Sequence, residues 1–468
     1  MSVQIMLDDY IPKINLEEYN YELPHEKIAE YPLEDRSSSK LLFANSTTKK
    51  ISHHKFKQLP DLIPAGSLLV FNTTKVIPAR LLLNKPTGGS VELLLVEPVL
   101  ENSPESSFYK GGKNADPQIS LNMRGECRWL CIIGGKRVRD GLVLSVEIEN
   151  INNPLTPFVK GEHLVLKAEI LERKGNEGIV HFNWNPAKLT FAEVITMLGK
   201  IPLPPYIKRE VEFNDKRWYQ TVYAQSNGSV AAPTAGFHFT NEIIKQLKNK
   251  NIQTENIVLH VGPGTFKPID VENVYEHEMH SERISVSKET IINLIAYIRS
   301  VENPPESLLR QAQDKLFGKG GNRRIIATGT TTLRTLESLY WIGCKILFNK
   351  HLKNDDIQTL EQWEAYEIAK NNKLPFADES LKKLLFYMSI NNINEFTART
   401  SLFIIPGYDF KIVNGLITNY HLPKSTLLLL VAAFTGKEFR KEIYDSALNN
   451  DYRFLSYGDS SLITNYEL

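Results

Sequence analysis

Histidine changes charge near neutral pH, so histidines set among small residues are the first places to look for acid–base work. Three of them stand out in this 468-residue sequence: His238, His260 and His421. His238 lies in the stretch 228–240, where Gly228, Ala231, Ala232, Pro233 and Gly236 leave little side-chain bulk. Glycine permits positive φ and close backbone approach, and proline stiffens a loop. Thr240 is placed to cap a helix whose inner face would be Ile243, Ile244 and Leu247. The stretch reads either as a ligand-holding loop or as a tight turn beside a core histidine. His260 stands at a predicted strand end, ahead of Gly262, Pro263 and Gly264, where a binding loop and a plain turn fit equally well. His421 shares the stretch 416–426 with Asn419, Lys424 and Ser425. Open α/β sheets bind ligands at such strand ends, although a capping turn would use the same residue types.

A fourth stretch carries no histidine. Residues 325–334 run from an apolar strand through Gly329 into Thr330, Thr331 and Thr332, then a helix with Leu333, Leu336 and Tyr340 inside. Free amides and hydroxyls at a helix start suit a carboxylate or phosphate, and threonines also cap helices for structural reasons. The turn 456–460 brings Asp459 near the C-terminal end, where an exposed acid would also fit. His277 and His280 have a spacing that metal sites use, but no further histidine or cysteine lies close by, so no metal is expected. No phosphate-binding P-loop, dinucleotide fingerprint or Gly-x-Ser-x-Gly elbow is present.

The elements that must carry these residues divide by texture. Residues 67–71 read as a buried strand between turn signals. From 76 to 185 short alternating runs at 91–96, 142–148, 167–171 and 179–184 predict a small β-barrel, with a polar loop at 101–118. After 185, apolar runs at 257–261, 324–328, 402–405 and 412–418 alternate with helical stretches, which favours a mixed or parallel sheet covered by helices. The expected fold class is therefore α/β: a larger mixed-sheet domain over 1–75 and 186–468, with an inserted β-barrel-like domain at 76–185. Surface insertions are expected near 301–323 and 341–400, and Asp378 is a candidate helix cap.

Composition sets outer limits. With 42% hydrophobic and 23% charged residues the chain is ordinary globular protein, and its longest apolar run, 427–434, is too short to span a bilayer. Three cysteines form no disulfide framework, which points to a reducing, cytoplasmic compartment. A net charge of +1 neither demands nor excludes a nucleic-acid partner. Local cations exist at Lys75, Arg80, Lys208 and Arg209, and at Arg124, Arg128, Lys136, Arg137 and Arg139; each group reads as phosphate contacts or as a solvated face.

Taken together, these stretches resemble one family, the S-adenosylmethionine:tRNA ribosyltransferase-isomerases of queuosine biosynthesis. The likeness runs in order along nearly the whole chain. It starts at Tyr21-Glu22-Leu23-Pro24 and 28–36, then passes through 71–80, 87–89, 202–209 and 219–224. The four stretches above carry it on, together with His280-Ser281-Glu282, Pro406-Gly407-Tyr408 and Ser456-Tyr457-Gly458-Asp459. The resemblance implies transfer and isomerisation of the ribosyl part of S-adenosylmethionine onto 7-aminomethyl-7-deazaguanine at the wobble position of tRNA. The products would be epoxyqueuosine-tRNA, adenine and methionine. It implies no permanently bound cofactor, S-adenosylmethionine being consumed as co-substrate, and a cytoplasmic protein expected to be a monomer. His238, His260 and His421 become the catalytic candidates, with base and acid unassigned among them. Gly236, Gly262, Gly264, Thr330 and Thr331 become candidates for holding the co-substrate, and Lys75, Arg80, Lys208 and Arg209 for tRNA phosphates.

Overall fold

The computed structural model describes residues 13–99, 117–148, 163–266, 269, 271, 273–302, 324–349 and 353–466. The predicted loop 101–118 and the insertion 301–323 fall almost wholly outside them.

In chain order the strands are β1 (Lys40–Asn45), β2 (Lys50–Lys55), β3 (Leu68–Asn72) and β4 (Thr74–Val76). The next six are β5 (Arg80–Asn84), β6 (Ser90–Val99), β7 (Glu126–Ile133), β8 (Val143–Ile148), β9 (Leu164–Lys174) and β10 (Glu177–Asn185). Then come β11 (Ser226–Ser229), β12 (Gln253–His260), β13 (Glu282–Ser287), β14 (Ile325–Thr328), β15 (Thr359–Leu360), β16 (Glu395–Thr400), β17 (Gly415–Asn419) and β18 (Ser460–Thr464). The longer helices are α1 (Phe191–Leu198), α2 (Asn241–Asn249), α3 (Lys288–Glu302), α4 (Thr330–Phe348), α5 (Glu364–Asn371), α6 (Ala377–Ile390), α7 (Thr426–Thr435) and α8 (Lys437–Asn449).

A mixed sheet in the order β15-β16-β13-β12-β3-β14-β17-β18-β1-β2 forms the larger part. Its centre is parallel: β12 runs with β3, β3 with β14, and β14 with β17. Strands β3, β14, β17 and β18 are buried along their whole length, and β3 and β14 accordingly read as apolar runs rather than alternating ones. Strand β18 lies antiparallel to β17 and parallel to β1, so the starts of β18 and β1 meet the end of β17 at one edge.

Strands β5 to β10 close into a separate antiparallel barrel. Alternation is clear in β7, whose Cys127, Trp129, Cys131 and Ile133 point inward, and in β10. Helix α1, held by a Thr190–Glu193 capping box, inserts Phe191 among Trp129, Phe182 and Trp184 at centroid distances of 5.3–5.8 Å. All three cysteines are buried and free.

Three expectations need correction. The stretch 341–400, expected at the surface, is built into the molecule: Trp341 to Lys345 of α4 are buried, and β16 pairs with β13. Gly343 lets α6 lie against α4, because a Cβ there would strike the backbone of Ser380. Residues 402–405 form no strand; they are buried as irregular chain after β16, so an apolar run alone did not distinguish core strand from core loop. Helix α6 starts from Phe376, with Glu379 accepting the Phe376 amide, and Asp378 instead pairs with Lys382 and Arg299.

Candidate functional site

The four central parallel strands end on the same edge, and their ends carry Asn72, His260, Thr328 and Asn419. The 228–240 stretch crosses that edge. Ser229 Oγ accepts the Val261 amide at 2.9 Å, and the Val230 and Ala231 amides donate to the Val261 carbonyl at 3.1 and 3.2 Å. Thr234 Oγ donates to Asn419 Oδ1 at 2.9 Å. The small side chains of 228–236 let the loop lie this close to the strand ends, and a cleft remains beneath it. Its walls come from 232–235, Val261, 329–331, 418–422, Ser425, Leu427, Leu455, Ser456 and Tyr206.

Helix α4 opens into this cleft. Its N-cap is Gly329 at φ +95°, a left-handed conformation that favours glycine, and no side chain caps the helix. The first amides of any helix lack intrahelical acceptors and carry partial positive charge. Thr332 and Thr335 direct their hydroxyls back to the Thr328 and Thr331 carbonyls at 2.7 and 3.0 Å. Thr331 differs: its hydroxyl is buried without a partner among the described residues, its side chain lines the cleft, and the residue is 8% exposed. Helix start and orphan hydroxyl together make an anion site of the kind a carboxylate fills.

His421 lines the same cleft, half-buried, with Nε2 at 2.8 Å from Thr418 Oγ. Its backbone is clamped by Tyr444, whose hydroxyl takes the His421 amide at 3.1 Å, and by the Tyr21 hydroxyl on its carbonyl. Burial pulls its pKa down to about 3, so the imidazole is neutral at physiological pH. His238 is not at the cleft surface. It is 4% exposed, packs on Phe56, and places Nδ1 at 2.9 Å from Ser39 Oγ and Nε2 at 3.3 Å from Asn419 Nδ2. The Asn419 amide also donates to the Asp459 carbonyl at 3.3 Å, so Nε2 of His238 accepts and Nδ1–H donates to Ser39. Burial first, then Arg453 and Arg36, pulls its pKa to about 3. His238 thus acts on the cleft through Asn419, whose amide it helps to hold.

The third histidine faces a neighbouring pocket. His260, with Nδ1 at 3.4 Å from Thr74 Oγ, lines a space between barrel and sheet together with Glu97, Gly228, Val261, Arg283 and Arg399. Val261 lines both spaces. Gly262 also lines this second pocket, and its amide donates to Glu282 at 3.3 Å. Gly236 and Gly264 line neither; a Cβ on them would strike Tyr223 and His280 respectively. Asp459 is buried and accepts the Lys40 and Arg453 amides at 2.8 Å each, so it fixes the C-terminal turn instead of standing exposed.

Among the four cations, Lys75 and Lys208 are exposed. Arg80 pairs with Glu92 at 2.7 Å. Arg209 is committed elsewhere: two of its nitrogens hold the fully buried Asp215 at 2.7 and 2.8 Å, and the guanidinium lies 4.2 Å from the Tyr31 ring centroid. An arginine held this way secures the chain and is not available to a phosphate. Among the described residues no cluster of three or more His, Cys, Asp or Glu could hold a metal, and no helix is long and apolar enough to cross a membrane. Asn419, Thr418 and Tyr206 sat inside stretches singled out above but were not chosen; Tyr206 reaches the cleft by bonding Ser456 Oγ at 2.6 Å. Only the third dimension shows that residues this far apart share a wall.

An α/β protein with a ligand cleft at the carboxyl ends of its parallel strands, and a barrel beside it, is the class that fold and site define. The family model of queuosine biosynthesis proteins matches residues 16–303 and 311–463, and the chain belongs to that family. It is 36% identical to an S-adenosylmethionine:tRNA ribosyltransferase-isomerase of Thermotoga petrophila, covering 96% of this chain and 100% of that one. The enzymes of the same name from Natranaerobius thermophilus and Aquifex aeolicus are 35% and 34% identical, over 97% and 96% of this chain and all of theirs. A crystal structure of an S-adenosylmethionine tRNA ribosyltransferase from Thermotoga maritima is 28% identical, with 95% of this chain and 99% of that one covered and a TM-score of 0.40.

Proposed function

We propose that the cleft binds S-adenosylmethionine and that the protein transfers and isomerises its ribosyl part onto 7-aminomethyl-7-deazaguanine in tRNA, giving epoxyqueuosine-tRNA, adenine and methionine. The observation that carries this is the uncapped start of α4 with the buried, unpartnered Thr331 hydroxyl, opposite a neutral His421 in one cleft. The helix start suits the methionine carboxylate. Carbon–hydrogen bonds beside a sulfonium are acidified, and His421, held neutral by burial, puts no positive charge next to that sulfonium. Thr234 and Asn419, fixed from behind by His238, supply polar groups for the sugar or the adenine. The co-substrate is consumed, no permanent cofactor is required, and the protein acts in the cytoplasm as a monomer on the modified tRNA. The names of the relatives support this reading, since they describe the same reaction type.

The test is to incubate the protein with S-adenosylmethionine and tRNA carrying the deazaguanine base and to measure free adenine. Release that requires the modified tRNA is expected. Tight tRNA binding without release would make the protein a binder only, and indifference to both substrates would overturn the reading.

A further inference from the structure

The pocket that His260 lines is distinct from the cleft proposed for S-adenosylmethionine. It lies at the seam between barrel and sheet. Its walls include Val96, Pro98 and Pro117, flat apolar surfaces that suit a planar ring. Gly228, at φ +129°, brings Pro117 and the His260 ring close enough that any Cβ there would collide with them. At its rim Arg399 reaches from the sheet to Glu97 on the barrel: Nη2 lies 2.9 and 3.3 Å from the two carboxylate oxygens, and Nε lies 3.3 Å from Ser281 Oγ.

Among the described residues Glu97 meets a single nitrogen shared between both oxygens, which uses little of a carboxylate's capacity of about four lone-pair positions. The Glu97 and Arg399 side chains are 26% and 27% exposed, so both are within reach of a ligand. The pocket therefore offers apolar walls, a carboxylate with acceptor positions to spare, a guanidinium and an imidazole. That set matches a planar heterocycle that carries an ammonium group and a ring carbonyl. The position adds a second constraint. Val261 lines this pocket and the larger cleft alike, so ligands in the two are separated by one residue's width. Group transfer requires reacting atoms about 3–3.5 Å apart, which calls for an acceptor held in a space that adjoins the donor's cleft, as this pocket does at Val261. Lys75, exposed on β4 and in register with Asn227, stands one residue from Gly228, where a flanking phosphate would run.

Resting on the function proposed above, we infer that the seam pocket is the acceptor subsite: it receives the aminomethyl-deazaguanine base extruded from the RNA, with the ammonium on Glu97 and the ring beside Arg399 and His260. Extrusion of a target base into a protein pocket is the general solution for chemistry on a nucleobase.

The inference is tested by inhibition of adenine release with free bases. In the wild-type protein, free 7-aminomethyl-7-deazaguanine should inhibit at least tenfold more strongly than 7-methyl-7-deazaguanine, which lacks the ammonium. Glu97→Gln should remove that preference while S-adenosylmethionine affinity stays within twofold, and Glu97→Asp should restore part of it. Equal inhibition by both bases in the wild type, or an undiminished preference in Glu97→Gln, overturns the assignment. The wild-type comparison stands even if a variant fails to fold. Adenine release that depends on modified tRNA, combined with no preference between the bases, sinks the subsite alone. A preference for the aminomethyl base in direct calorimetric binding, without any adenine release, leaves the subsite standing and sinks the reaction.

Discussion

His238 has one ring nitrogen on Ser39 and the other on Asn419, with Phe56 against its face, so a proton added at Nε2 would face the Asn419 amide, itself a donor. Its folded pKa of about 3 lies below the ordinary 6.5. Between those values the unfolded chain binds a proton that the folded chain does not, so this group lowers stability as pH falls through that window and has no effect above it. His238→Gln keeps a donor and an acceptor without titrating. The stability advantage of wild type over this variant should therefore shrink by up to about 1.4 kcal/mol per pH unit between roughly pH 6 and pH 4. Urea unfolding at a series of pH values reads this directly, and a constant difference would show that His238 is not held neutral. The sequence made the three histidines visible as a set, because small-residue turns flank each of them. It could not sort them, since burial separates their roles and burial belongs to the fold: one lines the main cleft, one stands behind Asn419, and one faces the seam.

At the scale of elements, the site depends on where α4 begins and how it is packed. Gly329→Ala places a Cβ at φ +95° and ψ +152°, a conformation almost confined to glycine that costs other residues roughly 1–3 kcal/mol. The expected result is a shifted helix start, a several-fold weaker affinity for S-adenosylmethionine and a fold that survives; unchanged affinity by calorimetry would mean that the start of α4 is not the anchor. Gly343→Ala tests the other end of the helix. Alanine is the better helix former by about 1 kcal/mol, yet the Cβ would meet Ser380, so a net loss of about 1–3 kcal/mol is expected by thermal unfolding. A gain would show that α4 and α6 can separate freely. Helix α4 also carries Glu337, fully buried, which takes the Tyr408 hydroxyl at 2.9 Å and the amides of Lys411, Ile412 and Val413 at 2.9–3.1 Å. Through it, one helix fixes the chain entering β17, which ends at Asn419. Strands β3 and β14 were legible because full burial writes an apolar run. The stretch 402–405 has the same signature without a strand, and residues 341–400 looked peripheral because their charges mask a buried stripe.

Across the whole molecule, segments hundreds of residues apart meet at one sheet edge, and which cations reach solvent is decided by the same folding. Lys208 is exposed and Arg209 is not, although they are neighbours in sequence. Lys208→Ala should weaken tRNA binding and lower the slope of log affinity against log salt by roughly one. Arg209→Ala should instead cost about 3–5 kcal/mol of stability by leaving Asp215 buried and unpaired, with little change in that slope where the fold persists. Equal effects on the slope would return Arg209 to the tRNA face. The central claim remains that the start of α4 receives the carboxylate of S-adenosylmethionine. Its most direct test is calorimetric binding of S-adenosylmethionine and of its decarboxylated form to wild type and to Thr331→Val. The account predicts that removing the carboxylate weakens binding to wild type at least tenfold, and that Thr331→Val erases most of the difference between the two ligands. Equal affinity of wild type for both ligands would contradict it.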